Sequence, residues 1–325
     1  MPLPELRGQR VLVTGAAGFI GSHLVDALLA LGARVRALDS LVTGRRENLA
    51  HCLDRVEFVE GDIRDREACR RACRDVAIVF HQAALGSVPR SMADPATTIE
   101  SNVSGTAHVF AAARESGVRR LVYASSSSVY GDSDRLPKRE GEEGAPLSPY
   151  ALSKAMNEEL AAIFARCYGT ELVGLRYFNV YGPRQDPNGP YAAVVPRFFK
   201  AYLSGEAPVI FGDGEQSRDF TFVADAVAAN LLAAGAPAAA CGRAYNVAGG
   251  SRTTVNELAR RIRDAVGGGP DPRHEPPRAG DVKHSLADLT QARERLGFTP
   301  AFDLPSGLAR CREAFLPAAA GAVAR

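Results

Sequence analysis

A tyrosine and a lysine four residues apart could form a proton-transfer site. Tyr150 and Lys154 lie in the sequence YALSK, and in a helix this spacing places both side chains on one face, about 6 Å apart along the axis. A free tyrosine has a pKa near about 10 and is a poor base at neutral pH, but a neighbouring ammonium favours the phenolate. Lowering the pKa by about three units takes roughly 4 kcal/mol of differential interaction. The pair therefore indicates a tyrosine base that could take the proton of a substrate alcohol.

A run of serines lies upstream of this pair. The sequence SSSSVYG spans residues 125–131 and follows a short apolar run. The hydroxyl of Ser126, at the end of a predicted strand, could complete the hydrogen bonds to a substrate alcohol. A serine run alone usually marks a turn, and a lone tyrosine–lysine pair usually lies on a solvated helix face. The two patterns indicate catalysis only in combination with a third, near the start of the chain.

That third pattern is a glycine-rich turn. Residues 14–21 read TGAAGFIG, so Gly15, Gly18 and Gly21 follow an apolar run and open a helical pattern. Glycine allows a sharp turn and close approach of a phosphate, which the N–H groups and dipole of the helix N-terminus then bind. The spacing is G-x-x-G-x-x-G rather than the commoner G-x-G-x-x-G. Its position after the first strand, with an acidic residue about 20 residues further on, predicts a dinucleotide site.

The acidic residue is Asp39, at the end of the second apolar run. A carboxylate there can accept both hydroxyls of a ribose and would repel a 2′-phosphate, so NAD is favoured over NADP. Arg45 and Arg46 follow shortly and leave NADP as an alternative. Asp62, in the sequence GDI after the third apolar run, lies where an adenine edge could be bound, although alone it would be a turn residue.

Apolar runs alternate with helical patterns through the first half of the chain. The runs show no polar alternation, which is typical of strands buried on both faces of a sheet. The sequence predicts an α/β fold: a doubly wound parallel sheet (Rossmann) with a smaller mixed α/β substrate lobe. The predicted NAD-binding domain spans residues 1–180, with returning segments near 220–248, and residues 181–325 form mainly the substrate lobe. Predicted strands include residues 10–14, 34–39, 56–59, 77–81, 121–124 and 172–175, and predicted helices include residues 19–31, 97–116 and 150–168.

Composition excludes several other classes of protein. The 325 residues are 46% hydrophobic with a formal net charge of +2, which allows a sizeable core and gives no basic run for nucleic acid. The polar start predicts no signal peptide, and no apolar stretch reaches the roughly 18 residues of a membrane span. Six scattered cysteines without a C-x-x-C pair predict free thiols in a cytoplasmic protein and no metal site. His81, in a buried apolar run, is expected to be structural.

The motifs together resemble the extended short-chain dehydrogenase/reductase family, the nucleotide-sugar epimerases and dehydratases. The likeness also includes HQAA at 81–84, LRYFNVYGPRQ at 175–185 and SRDF at 217–220. It implies bound NAD and a catalytic set of Tyr150 (the base), Lys154 and Ser126. The implied cofactor contacts are Gly15, Gly18, Phe19, Ile20, Gly21, Asp39, Ser40, Gly44, Asp62, Ile63, Gln82, Ala83, Ala84, Tyr150, Lys154, Tyr177 and Val180.

The residues before V-Y-G favour one branch of this family. Dehydratases carry an Asp–Glu pair where this chain has Ser127 and Ser128, and the related decarboxylases usually carry Glu in place of Ser128. Elimination of water needs an acid and a base besides the tyrosine, and serine supplies neither. An epimerase needs no such pair, since the tyrosine takes the O4 proton, C4 gives a hydride to NAD, and the 4-keto sugar turns over before the hydride returns.

The likeness is greatest to bacterial UDP-N-acetylglucosamine 4-epimerases. It extends over ALGSVPRS at 84–91, DPNGPYAAVVPRF at 186–198 and RAGDVKHSLAD at 278–288. In these relatives a small residue leaves room for a 2-acetamido group, and Ser285 occupies that position here, which permits an N-acetyl sugar without requiring one. The implied substrate contacts are Ser87, Ser126, Ser127, Ser128, Tyr150, Asn179, Ala193, Val194, Arg218, Arg252, Arg278, Asp281 and Ser285, with Arg218 and Arg278 on the diphosphate.

The resemblance leaves the sugar open. The favoured activity is a UDP-N-acetylglucosamine 4-epimerase that also accepts UDP-glucose, with UDP-glucose or UDP-glucuronate 4-epimerase as alternatives. A glucuronate would need a cation or a cluster of hydroxyl donors, which the sequence does not locate. A hypothesis of a different class is a non-catalytic NAD-binding protein, since a fold alone does not prove chemistry. The likeness also implies a homodimer formed through helices 97–116 and 150–168.

Overall fold

A parallel sheet of seven strands forms the centre of the first lobe in this computed structural model, which describes residues 5–189, 191–277 and 283–316. The strands are β1 (Arg10–Thr14), β2 (Arg34–Asp39), β3 (Glu57–Glu60), β4 (Ile78–His81), β5 (Arg120–Ser126), β6 (Glu171–Tyr177) and β11 (Arg243–Val247). Their order in the sheet is β11-β6-β5-β4-β1-β2-β3, and each neighbouring pair is parallel.

Helices cover both faces of this sheet, which confirms the predicted doubly wound fold. One apolar cluster packs the helices over residues 19–30 and 223–235 against it, and a second cluster packs the helices over residues 66–73, 105–115 and 149–168 against the opposite face. The strands are buried on both sides because their apolar runs are continuous. The helices are α1 (Phe19–Ala30), α2 (Arg66–Cys73), α3 (Val88–Ala93), α4 (Pro95–Ile99), α5 (Gly105–Glu115), α6 (Pro149–Tyr168), α7 (Val194–Leu203), α8 (Val223–Gly235), α9 (Val255–Val266), α10 (Thr290–Leu296) and α11 (Leu304–Phe315).

The second lobe is smaller and mixed. Its apolar cluster joins α7, α9 and α11. Six short strands accompany it among the described residues: β7 (Val180–Tyr181), β8 (Val209–Phe211), β9 (Ser217–Asp219), β10 (Thr221–Phe222), β12 (Arg252–Thr254) and β13 (Arg273–Glu275). They form three two-stranded sheets, β7 with β10, β8 with β13, and β9 with β12. Between strands β10 and β12 of the second lobe, the chain returns to the seven-stranded sheet through α8 and β11.

The helix predicted over residues 97–116 is interrupted. A short π-helical turn, Glu100–Ser104, separates α4 from α5. The buried Asn102 in this turn accepts from Leu85 N at 2.8 Å and donates to Leu85 O at 3.2 Å, so it holds the segment that follows β4. Among the described residues, none of the helices combines the length and apolarity that a membrane span requires.

Candidate active site

A long cleft runs past the carboxyl ends of the parallel strands and continues between the two lobes. Ligands of open α/β sheets bind at this edge, because helix N-termini and loop residues converge there. The cleft has a volume of about 1270 Å³, which exceeds the roughly 300–1,000 Å³ of a pocket for one small ligand. It therefore has room for a dinucleotide and a second ligand.

The glycine-rich turn between β1 and α1 forms one wall. Gly15 has φ +67°, and a Cβ there would lie 2.7 Å from Ala83 N. A Cβ on Gly21 would lie 2.0 Å from Gly15 O, so neither position tolerates a side chain. No side chain caps α1 at Gly18, which leaves the first N–H groups of this helix available to a phosphate. The turn fits the pyrophosphate of a dinucleotide.

Asp39 lies at the end of β2, in the same wall. Its carboxylate accepts from Ala17 N at 2.9 Å and from Leu41 N at 2.8 Å. Burial raises the pKa of Asp39, and the backbone hydrogen bonds oppose that increase. A Cβ on Gly44 would lie 2.6 Å from the Asp39 carboxylate, so glycine lets the following loop close over it. This oriented carboxylate fits the hydroxyls of an adenosine ribose.

The carboxylate of Asp62, predicted to bind adenine, is hydrogen-bonded to a neighbouring arginine in the structure. Its carboxylate accepts from Arg64 at the backbone N (2.8 Å), Nε (3.0 Å) and Nη2 (2.7 Å), and these bonds hold the pKa of Asp62 below its usual value. Gly61 and Ile63 line the cleft, whereas Asp62 is not among its lining residues. A contact between Asp62 and adenine stays a prediction.

The three predicted catalytic residues meet in the middle of the cleft. Ser148 begins α6 by accepting from Ala151 N at 3.1 Å, so Tyr150 lies in the first helical turn. Its phenol faces the Ser126 side chain at the end of β5, which opposes the rise in the pKa of Tyr150. Lys154, one turn further along α6, is 3% exposed and donates from Nζ to Ala124 O at 2.8 Å. Helix α6 and strand β5 thus bring a phenol, a hydroxyl and an amine to one point.

The electrostatics of Tyr150 differ from the expectation. Burial raises the pKa of Tyr150, and the hydrogen bond with Ser126 only partly opposes this effect. Lys154 Nζ lies 6.0 Å from the centre of the tyrosine ring and is bonded to a backbone carbonyl. The protein's own groups therefore favour the protonated phenol, and a further positive charge in the cleft would favour its ionisation.

A buried ion pair supports the lysine, and the sequence did not reveal it. Glu158 lies one turn beyond Lys154 and accepts from Arg176 at Nε (2.9 Å) and Nη2 (2.6 Å), and also from Ser125 Oγ. Burial lowers the pKa of Lys154 to about 8, and Glu158 opposes that fall. The i, i+4, i+8 spacing of Tyr150, Lys154 and Glu158 was the available signal.

Two networks of hydrogen bonds lie beside the cleft, behind or among its lining residues. Tyr177 Oη donates to Gln82 Oε1 at 3.0 Å, and Asn230 Nδ2 donates to Tyr177 Oη at 2.7 Å. His81 lies between the hydroxyls of Thr14 (2.7 Å) and Thr106 (2.9 Å). Burial lowers the pKa of His81 to about 3, so the ring stays neutral and acts as a structural hydrogen-bonding group.

The second-ligand half of the cleft collects most of the predicted substrate residues. The Ser128 hydroxyl is buried without a hydrogen-bond partner among the described residues. Arg252 lies on β12, is exposed, and is not among the lining residues, so its nucleotide contact stays a prediction. Arg278 and Asp281 lie outside the described residues. The predicted residues that line this half are Ser87, Ser126, Ser127, Ser128, Asn179, Ala193, Val194, Arg218 and Ser285.

Sequence reasoning assigned no role to several residues that line the cleft. They include Lys138, which lies in no recognised motif, and Gln185 and Asp186, which lie within the segments 175–185 and 186–198 that carry the family likeness. Arg45 and Asp186 line the cleft from its two sides and form an ion pair across it. Arg45 and Asp186 are 141 residues apart in the chain, so no local spacing indicated this ion pair.

Comparisons with known proteins identify the family and several relatives of this chain. The family model described as the NAD dependent epimerase/dehydratase family matches residues 11–248. The UDP-glucose 4-epimerase of Mycolicibacterium smegmatis is 44% identical over 94% of this chain and 98% of its own length. The solved UDP-glucose 4-epimerase of Thermotoga maritima, with UDP-glucose, has a TM-score of 0.90 and 40% identity over 94% of this chain and 98% of that one. The UDP-N-acetylglucosamine 4-epimerase of Methanobrevibacter ruminantium, in complex with UDP-N-acetylmuramic acid, has a TM-score of 0.91 and 40% identity over 95% of this chain and 98% of that one.

Proposed function

Because this chain belongs to the NAD-dependent epimerase/dehydratase family, we propose that it inverts C4 of UDP-N-acetylglucosamine and also accepts UDP-glucose. It is an NAD-dependent UDP-sugar 4-epimerase, and the choice of sugar is the proposal. The observation that supports it most is the meeting of Ser126, Tyr150 and Lys154 beside the glycine-rich turn. An intact set of this kind argues against a non-catalytic NAD-binding protein.

Each residue of the set has a distinct task. Tyr150 takes the proton from O4 and returns it, while the Ser126 hydroxyl holds the same oxygen. Lys154 keeps its ammonium beside this point, supported by Glu158. Bound NAD supplies a reversible hydride acceptor and a positive ring, the further charge that ionisation of Tyr150 needs. The sugar passes through a 4-keto form and turns over in the wide cleft.

Among the described residues, serines occupy the positions beside the catalytic tyrosine where a second acid–base pair would serve elimination of water. Ser127 and Ser128 lie where such a pair would be needed, and a serine hydroxyl at its ordinary pKa is neither a useful acid nor a base at neutral pH. Glu158 is the nearest carboxylate in the chain to the catalytic lysine, but Arg176 and Ser125 bind both of its oxygens. Epimerisation is therefore favoured over dehydration.

Ser285 supports the N-acetyl sugar. It is buried in the cleft wall and small, so it leaves volume for an acetamido group. Ser285→Tyr should lower kcat/KM for UDP-N-acetylglucosamine at least about tenfold more than for UDP-glucose, because a pocket excludes a bulky group by volume. An equal loss of kcat/KM for both sugars would show that Ser285 does not select between them.

Product analysis tests the function itself. UDP-N-acetylglucosamine, UDP-glucose and UDP-glucuronate are offered separately, and the products are resolved by NMR. We expect C4 inversion of the first two. If none of the three sugars is inverted at C4, the proposed function is wrong.

We also propose that the protein is a homodimer. Helix α6 exposes Leu152, Met156 and Ile163, each between 40% and 45% exposed, along one face. A second copy of the same helix could cover this apolar stripe. Light scattering should give twice the chain mass, and Met156→Arg should reduce it to one chain mass. A wild-type monomer would contradict the proposal. The cytoplasmic location stays a prediction from the sequence.

A further inference from the structure

Asp219 is a buried carboxylate that the proposed mechanism does not use. It lies on strand β9, is 0% exposed and is not among the residues that line the cleft. Its neighbour Arg218 does line the cleft, because successive side chains along a strand alternate between its two faces. Asp219 therefore lies directly behind the strand face that carries the predicted diphosphate contact.

The carboxylate of Asp219 joins strand β9 to two other segments. Its Oδ1 accepts from Gly250 N at 3.0 Å, in the turn between β11 and β12, and its Oδ2 accepts from Ala287 N at 3.1 Å. Burial raises the pKa of Asp219 to about 6, and these backbone hydrogen bonds oppose the increase. The group is therefore ionised at neutral pH, and its hydrogen bonds are of the stronger, charge-assisted kind.

One of these segments, residues 283–287, carries Ser285, the residue proposed to border the 2-acetamido group. The segment belongs to none of the named helices and strands and is held against β9 by hydrogen bonds. Ser285 N donates to Ser217 O at 3.0 Å. Two residues further along both segments, Ala287 N donates to the Asp219 carboxylate. The carboxylate thus fixes the segment of Ser285 to the strand of the diphosphate contact.

We propose that Asp219 is a positioning residue for the nucleotide sugar: its carboxylate sets the spacing between Ser285 and Arg218, so that both face one bound substrate. This inference rests on the proposed 4-epimerase function and adds to it a residue that does not touch the substrate. Tyr150 and its partners lie on β5 and α6 of the other lobe. Loss of the Asp219 carboxylate should therefore weaken substrate binding, seen as a higher KM, and leave the chemical step, seen in kcat, nearly unchanged.

The test is Asp219→Asn, which keeps the shape of the side chain and removes its charge. The amide oxygen can accept from one of the two N–H groups, whereas the amide NH₂ faces the other one, donor against donor. We measure kcat and KM for UDP-N-acetylglucosamine, and the affinity for NAD, in this variant and the wild type. KM should rise about tenfold, the effect of losing one charged hydrogen bond. The value of kcat should stay within about threefold, and the affinity for NAD should not change.

Asp225→Asn is the matched control. Asp225 on α8 is 1% exposed, and its carboxylate accepts from Ala301 N at 2.8 Å and from Phe302 N at 3.2 Å. It thus joins two segments as Asp219 does, but neither Ala301 nor Phe302 is among the residues that line the cleft. Asp225→Asn should lose stability as Asp219→Asn does, measured by thermal unfolding, while its KM stays within about twofold of the wild-type value.

Ser217→Ala tests the same placement without removing a charge. Ser217 Oγ and His284 Nδ1 lie 2.9 Å apart, which is a second side-chain hydrogen bond between β9 and the segment of Ser285. Its loss should raise KM about threefold, the effect of one neutral hydrogen bond. This variant decides the question if Asp219→Asn does not fold.

Two results would overturn the inference. One is an unchanged KM in folded Asp219→Asn, or in Ser217→Ala where Asp219→Asn does not fold. The other is an equal rise of KM in Asp225→Asn, which would assign Asp219 to the stability of the fold alone. If the wild type inverts no sugar at C4, the proposed function fails. Calorimetric binding of UDP-N-acetylglucosamine to the wild type, Asp219→Asn and Asp225→Asn then still decides whether Asp219 sets the affinity for the nucleotide sugar.

Discussion

Replacing the catalytic lysine should stabilise the protein while abolishing turnover. Lys154 is buried, and among the described residues its Nζ is bonded to one backbone carbonyl, that of Ala124. Methionine fills a similar volume without a charge, so Lys154→Met removes the ammonium and keeps the apolar contacts of the stem. Functional sites commonly hold residues that reduce stability, and here the reduction can be calculated.

The magnitude follows from the pKa of Lys154. Burial lowers it from 10.5 to about 8. At about 1.36 kcal/mol per pKa unit, keeping the ammonium in the fold costs about 3 kcal/mol at neutral pH. Lys154→Met also loses the hydrogen bond to Ala124 O, which offsets about 1 to 2 kcal/mol of the stability gained by removing the charge. We therefore expect Lys154→Met to be more stable than the wild type by about 1 to 2 kcal/mol at pH 7.

The pH dependence identifies the cause. Because the pKa of Lys154 is lower in the folded state, the folded protein binds fewer protons than the unfolded chain between pH 8 and 10.5. Wild-type stability should therefore rise relative to Lys154→Met across this window. The penalty is fully present below about pH 8 and is absent above pH 10.5. Groups far from Lys154 titrate alike in both proteins and cancel in the difference, and His81, whose pKa Lys154 helps to lower, has a pKa of about 3, outside this window.

Urea unfolding of the nucleotide-free proteins between pH 7 and pH 10 measures this difference. The control is Lys200→Met, an exposed lysine on α7 that should change stability by less than about 0.5 kcal/mol at every pH. The reasoning is refuted if Lys154→Met is less stable than the wild type at pH 7. It is equally refuted if the difference in stability does not vary with pH.

Three further predictions concern the same cleft. Tyr150→Phe should lower turnover by about 10³-fold while NAD stays bound, as measured by absorbance; an unchanged rate would reject Tyr150 as the base. Glu158→Gln should move the alkaline limb of the kcat–pH profile to lower pH, because Glu158 raises the pKa of Lys154, whereas Glu143→Gln, which also removes a partner of Arg176, should leave that limb in place; identical profiles would contradict this. Asp39→Asn should weaken NAD binding about tenfold by loss of charged hydrogen bonds without changing the affinity for UDP; fluorescence titration checks both, and unchanged NAD affinity would remove Asp39 from ribose recognition.

The cofactor side of the cleft was predictable from sequence because its requirements are local. Gly15 and Gly21 are needed by backbone atoms a few residues away, where a Cβ would overlap. Tyr150 and Lys154 share a helix face by spacing alone. A short pattern of residue types therefore carries both the local geometry and the chemistry. The predicted α/β fold was confirmed for the same reason, since buried parallel strands require continuous apolar runs.

The remainder depends on contacts between distant parts of the chain. Arg176 on β6 pairs with Glu158 on α6 and with Glu143 in a loop, and any of several acidic residues could have been its partner from sequence alone. The ion pair between Asp62 and Arg64, two residues away, also had no signal in the GDI motif that suggested Asp62. Lys138 belongs to no motif, and only its burial distinguishes it from a surface lysine.

The raised pKa of Tyr150 bears on when its phenol can act as a base. Burial disfavours the phenolate, and the lysine meant to favour it lies 6.0 Å from the ring centre with its Nζ bonded to Ala124 O. A protein that ionised this phenol by itself would hold a reactive base in a cleft open to any alcohol. Burial disfavours the phenolate of Tyr150 in the cleft as the protein alone forms it. A positive charge in the dinucleotide half of the cleft opposes this effect, so the ionised base is favoured more when the hydride acceptor is bound.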